Sequence, residues 1–304
     1  MPRFAELGMS LCFAAHLAAG AAVLAIQMSS DARAEEAAWE PLARFTVEKS
    51  PPAPIFVALT RLTYDTQAVQ PSQSRPGPVV EYVETGRIEL EAAGGVTVLR
   101  GPPDAAKRQE TIDQGTPVML GPGDSVFIAG GTAASPRNPG EEPANVLVAE
   151  IGSAEDNRQA PAAPVPVKGI AAQSLASAVA TTVPAAPVVI ELGRLTLAPG
   201  AKISSETRPG VVGPQAGPEL TAVESGTFGL KVSTGEVELF PQGRSTLGTE
   251  RKGRGQMAPL LTETALRPRD AMLGQSGASD MMWNAGKVPA AAILIRFLPV
   301  KKQP

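Results

Sequence analysis

The chain has 304 residues, room for two domains of ordinary size, and 43% of them are hydrophobic, which excludes wholesale disorder. Glycine and proline number 30 each, which favours many short strands joined by turns over long helices. The net charge of -3 and the lack of a basic face give no footing for nucleic acid, so no nucleic-acid partner is expected.

Residues 1–34 read as an export signal. Arg3 supplies the positive start, Leu7 to Ile26 is an apolar run, and Ala32-Arg33-Ala34 is a small-x-small cleavage site followed by Glu35-Glu36. The chain is therefore expected to be exported, periplasmic or extracellular, with no membrane insertion after cleavage. The alternative is anchoring by an uncleaved N-terminal helix, against which the Ala and Gly content and His16 speak. Cys12 and His16 are the only cysteine and histidine, and both fall in the removed segment. The mature chain then has no disulfide, thiol or imidazole. Residues 35–53 form an N-terminal segment.

From 54 to 152 the pattern is strand-like: Val79 to Leu90, Val96 to Leu99, Ser125 to Ile128 after the Pro122-Gly123-Asp124 turn, and a closing strand, Val146 to Ile151. Residues 153–186 are rich in Ala, Pro, Ser and Val and predict an extended linker, with a short helix over Ile170 to Val179. Residues 187–304 return to strands, with turns at Ser225-Gly226 and Thr234-Gly235 and a closing run from Ala291 to Leu298. Turns spaced roughly every 8–12 residues predict a sandwich or jelly-roll barrel.

The two strand-rich stretches are copies. Pro54 to Thr63 resembles Pro187 to Thr196, and Gly77-Pro78 and Gly86 are matched in spacing by Gly217-Pro218 and Gly226. Asp124, Asn138, Gly140, Pro143 and Ala144 are matched by Asp270, Asn284, Gly286, Pro289 and Ala290, all at one offset of 146.

These motifs resemble the cupin superfamily, and within it the bicupins. Pro122-Gly123-Asp124 through Asn138 is similar to the family's second motif, Pro268-Arg269-Asp270 through Asn284 is a weaker copy, and Gly86 and Gly226 stand where the first motif ends. The likeness covers nearly all of 54–151 and 187–299. It implies an all-β fold of two tandem jelly-roll β-barrels, often packed face to face in that family. It also implies ligand positions for a transition metal inside each barrel.

Those positions hold other residues here. In the first copy they fall on Gln73, Arg75, Val79 and Ala134, a set from which no metal site is expected. In the second, Glu219 stands at the family's glutamate and Asp280 at its second-motif histidine. The first-motif pair is assigned to Glu206 and Arg208, because Val211 to Gly217 reads as an insertion. Glu206, Glu219 and Asp280 converging would suit Ca²⁺, Mg²⁺ or Mn²⁺, or an organic ligand beside Arg208; the bland reading is that they are solvated. Met272, Met281 and Met282 are read as core packing rather than a Cu(I) site, since adjacent Met281 and Met282 face opposite sides of a strand. Arg244, Arg251, Lys252 and Arg254 decorate a long loop from Gln242 to Met257.

The expectation is an exported bicupin without cofactor or catalytic residue, acting as a small-molecule-binding or structural module. A carboxylate-based enzyme on a sugar or small acid, metal-independent or using a hard cation, is the alternative. A protein-interaction subunit of an exported assembly is the third. An unidentified small molecule and a second copy of the chain remain open as partners.

Overall fold

The computed structural model describes residues 37–101, 108–155, 167–208, 215–241 and 255–300. The export-signal segment with Cys12 and His16, and the basic residues of the 242–254 loop, lie outside the described residues.

Eleven strands occur twice in the same order. The first set is β1 (Ala37–Val47), β2 (Ile55–Tyr64), β3 (Gln73–Ser74), β4 (Val79–Thr85), β5 (Ile88–Ala92), β6 (Val96–Arg100), β7 (Arg108–Ile112), β8 (Val118–Leu120), β9 (Ser125–Ile128), β10 (Ala133–Arg137) and β11 (Ala144–Ser153). The second is β12 (Ile170–Ala180), β13 (Val188–Leu197), β14 (Lys202–Ser204), β15 (Glu219–Ser225), β16 (Phe228–Thr234), β17 (Val237–Phe240), β18 (Gln256–Met257), β19 (Glu263–Leu266), β20 (Ala271–Gly274), β21 (Ser279–Asn284) and β22 (Ala290–Pro299). The fold is all-β, and each half is a jelly-roll barrel made of a seven-stranded and a four-stranded sheet. In the first barrel the orders are β12-β2-β11-β4-β9-β6-β7 and β3-β10-β5-β8; in the second they are β1-β13-β22-β15-β20-β17-β18 and β14-β21-β16-β19.

The halves exchange their leading strands. β1 pairs with β13, from Ala37↔Leu197 to Val47↔Val188, and so completes the second barrel. β12 pairs with β2, from Ile170↔Tyr64 to Ala180↔Ile55, and completes the first. The short helix expected over Ile170 to Val179 is thus corrected to a strand. Ala favours helix in isolation, but the open edge of β2 and burial of Ala176, Ala178 and Ala180 under the facing sheet override that preference.

Strand alternation sorts side chains into three cores. Tyr64, Val79, Val83, Val126, Ala134 and Val148 line the inside of the first barrel. Leu195, Val223, Phe228, Met272, Met282 and Leu294 line the inside of the second. A third core joins the two seven-stranded sheets face to face, through Leu59, Val80, Leu147, Leu192, Ala222 and Ile293 among others. Met272 and Met282 are buried and Met281 is exposed, as packing on alternate faces requires.

Beside this interface lies a ring of charge that obeys the duplication. Arg61 of β2 and Arg194 of β13 are mates, as are Glu84 of β4 and Glu224 of β15. Each arginine holds its own half's glutamate (Arg61–Glu84 2.6 Å, Arg194–Glu224 3.1 Å) and the other half's (Arg61–Glu224 2.5 Å, Arg194–Glu84 2.7 Å). The pairs are half-buried and shared, a geometry in which ion pairs contribute more than isolated surface ones.

The repeated turn residues have local reasons. Gly86 and Gly226 sit at φ 75° and 73°, where a Cβ would come within 2.7 Å of Ala144 Cα and 2.6 Å of Ala290 Cα. Asn138 Nδ2 donates to the carbonyls of Tyr64, Asp65 and Glu142, while its Oδ1 accepts from Gly140 N. Asn284 does the same with Leu197, Val288 and Gly286. Asp124 and Asp270 accept the N–H three residues before them, at Gly121 and Arg267, and serve as turn residues.

Candidate functional site

The four first-barrel positions do not form a polar centre. Gln73 is exposed on β3, and its register partner Ala134 is buried with Val79 in the apolar core. Arg75 is partly exposed at the barrel mouth, with Nη1 2.7 Å from Oε1 of Glu150.

A different acid lies within. Glu81 shares the inward face of β4 with Val79 and Val83, and stands opposite Val126 and Val148 on the flanking strands. It is 9% exposed. Burial pushes its carboxyl up to about 7, with Arg75 opposing the shift and Glu150 adding to it. Tyr64, whose hydroxyl donates to Gln70 Oε1 at 2.6 Å, is raised in turn by burial and then by Glu81. Reading only motif positions misses Glu81. Its signal is a charged residue at the inward parity of Val79-Val80-Glu81-Tyr82-Val83.

The second barrel is more polar. Arg208, Glu219 and Asp280 come together, and each is buried. The Arg208 guanidinium binds Glu219 Oε1 through Nη1 and Asp280 Oδ2 through Nη2, the latter at 2.6 Å. Glu219 also accepts from Thr221 Oγ1 at 3.3 Å, and the Asp280 backbone N–H donates to Ser205 Oγ at 3.1 Å. Burial opposes the charge of Arg208, yet the two carboxylates hold it protonated and raise it above its usual value. The Asp280 carboxyl is pushed up by burial, which Arg208 only partly offsets. Glu206 is exposed and does not join the group, which corrects the expected three-carboxylate cluster.

The placement of Arg208 also differs from a motif match. Gly131 N donates to the Arg75 carbonyl, and Gly277 N donates to that of Gln215, so Gln215 is the true mate of Arg75. Arg208 reaches the barrel interior from just before residues 209–214. Next to it, Glu219 stands directly opposite Arg296 of β22. Arg296 Nη2 lies 2.5 Å from Glu191 Oε2, and its guanidinium stacks 4.2 Å over the Trp39 ring. Arg44 closes the set at the rim, 3.3 Å from Glu191 Oε1. Two buried arginines and three buried acids, with Arg44 at the rim, thus form a charge-matched cluster.

Neither barrel's donors fit a transition metal. Those of the first are an amide, a guanidinium and two hydrocarbons, and those of the second are carboxylates already holding a guanidinium. Among the described residues no three His, Cys, Asp or Glu side chains are placed to hold a metal ion.

No protein-family model matches the sequence, nor does any curated protein. Solved structures with a similar arrangement include variants of the oxalate decarboxylase of Bacillus subtilis. One such variant is 12% identical with a TM-score of 0.42, over 83% of this chain and 76% of that one. Another is AerE from Microcystis aeruginosa, at 10% identity and a TM-score of 0.39, over 86% of this chain and 99% of that one.

Proposed function

We propose that the chain is an exported two-barrel protein of cupin type, non-catalytic in its second barrel, whose centre is closed by the protein's own ion cluster. The observation that carries this reading is Arg208, 3% exposed between Glu219 and Asp280. A hard cation would have to displace a guanidinium that is already in place and dry. A substrate would have to free both carboxylates before either could act as acid or base. The small-molecule reading then belongs to the first half of the chain, and the second barrel is a structural partner joined to it by exchanged strands. Export rests on the sequence of residues 1–36 alone.

Metal content of the untagged chain from its exported fraction tests the proposal, together with Tm measured with and without Ca²⁺, Mg²⁺ and Mn²⁺. The expected result is no stoichiometric metal and no shift in Tm. Stoichiometric Ca, Mg or Mn that disappears in Glu219→Ala and Asp280→Ala variants overturns it. N-terminal sequencing of the same material should begin at Glu35; a chain that begins at Met1 supports anchoring instead.

A further inference from the structure

The duplication allows each half to be read against the other, and they part at one place. Residues 48–54 and 181–187 are mates; each leads from an exchanged strand into a cis X-Pro bond, Ala53–Pro54 and Ala186–Pro187. Ala129 and Gln275 are mates at the offset of 146, each two residues before a positive-φ glycine, Gly131 or Gly277.

In the second half the Gln275 side chain ties this segment down. It is 4% exposed; its Oε1 accepts from Thr181 N at 3.0 Å and Thr181 Oγ1 at 3.2 Å, and its Nε2 donates to Val179 O at 3.3 Å. Pro184 then closes over Gly217, its Cγ 2.9 Å from where a Cβ would stand. In the first half position 129 is alanine, and among the described residues no side chain makes the corresponding bonds to Thr46 or Glu48. A cleft of about 600 Å³ opens there between residues 46–52, the Pro76–Pro78 turn, Phe127 and Ala129. Thr46 and Glu48, the mates of Val179 and Thr181, line it. Pro51, Pro52, Pro76, Pro78 and Phe127 give it an apolar side, beside the polar Glu48, Lys49 and Ser50.

We propose that this cleft is a binding site for a carboxamide. The ligand's –C(=O)NH₂ group takes the place that Gln275 fills in the other half, its oxygen accepting from Glu48 N and its NH₂ donating to Thr46 O. A Gln or Asn side chain of a peptide and a free primary amide both carry that group. Proline-rich walls accept the apolar remainder of either. The site lies where the end of β1 meets the outer face of the first barrel's large sheet, apart from the ion cluster inside the second barrel.

The test is an NMR titration of the ¹⁵N-labelled chain, as exported, with two probes: N-acetyl-glutamine methylamide for a peptide source and propionamide for a free amide. Saturable shifts at Glu48 and Ala129 are expected, and the probe that binds more tightly identifies the source. N-acetyl-glutamate methylamide, which cannot donate to Thr46 O, should bind roughly tenfold more weakly. Ala129→Gln should seat its own carboxamide, raise Tm by roughly 2–4 °C and abolish the titration. Gln275→Ala should open the mate cleft and bring new shifts at Thr181. The proposal is overturned if no probe moves Glu48 or Ala129, if the glutamate probe binds as well as the glutamine one, or if Ala129→Gln leaves Tm and titration unchanged.

Discussion

Glu81→Gln offers a quantitative check on the interior of the first barrel. The Glu81 carboxyl is pushed from 4.5 up to about 7 in the folded chain, chiefly by burial among valines. Between those two values the folded state binds a proton that the unfolded state has released. Stability from this group is therefore fully present below about 4.5 and is lost as pH rises through about 7. At about 1.4 kcal/mol per unit, the loss amounts to about 3 kcal/mol. Glutamine has the shape of the protonated acid and cannot ionise, so the variant should match the wild type near pH 4.5 and exceed it by up to about 3 kcal/mol at pH 8. Urea denaturation at several pH values, analysed as the difference between variant and wild type, isolates Glu81 from Asp280, whose raised carboxyl acts in the same direction. Arg75 and Glu150 act on the Glu81 carboxyl in opposite senses, and both effects are included in its shift. A difference that stays flat from pH 5 to 8 refutes the assignment of Glu81 as a buried acid with a raised carboxyl.

Arg208→Ala leaves two buried carboxylates without their cation and should cost about 3–5 kcal/mol at pH 7, less at pH 5, as read from urea denaturation at the two pH values. A double-mutant cycle on Arg61 and Glu224 should return a coupling of about 1 kcal/mol between the halves, because the pair is half-buried and bridges two barrels; zero coupling would reduce the ring to surface decoration. Asn284→Ala strands the Leu197 and Val288 carbonyls and should cost about 2–3 kcal/mol by thermal or urea unfolding. Asn138→Ala should cost as much by the same turn logic.

The all-β class and the duplication were legible because they are local and periodic. Inward valines alternate along Val79–Val83, Gly86 and Gly226 hold positive φ beside a crowding alanine, and Asn138 and Asn284 tie turns whose spacing shows in the sequence. Arg208, Glu219 and Asp280 could be named as candidates by motif position, and the fold does bring them together. Their meaning was not legible there: Glu206 points to solvent, and Arg208 turns a possible cation site into a closed ion cluster. Likewise Ile170–Ala180 has a helix-tolerant composition and becomes a strand only because β2 offers an edge from the other half. Glu81 and the Ala129–Gln275 difference were visible as letters, but nothing local assigned them weight. Turn geometry and strand parity follow from sterics within a few residues, so the sequence by itself determines them. The partner of a charge, the owner of a strand and the filling of a cleft depend on groups tens to hundreds of residues away, and only the tertiary structure decides them.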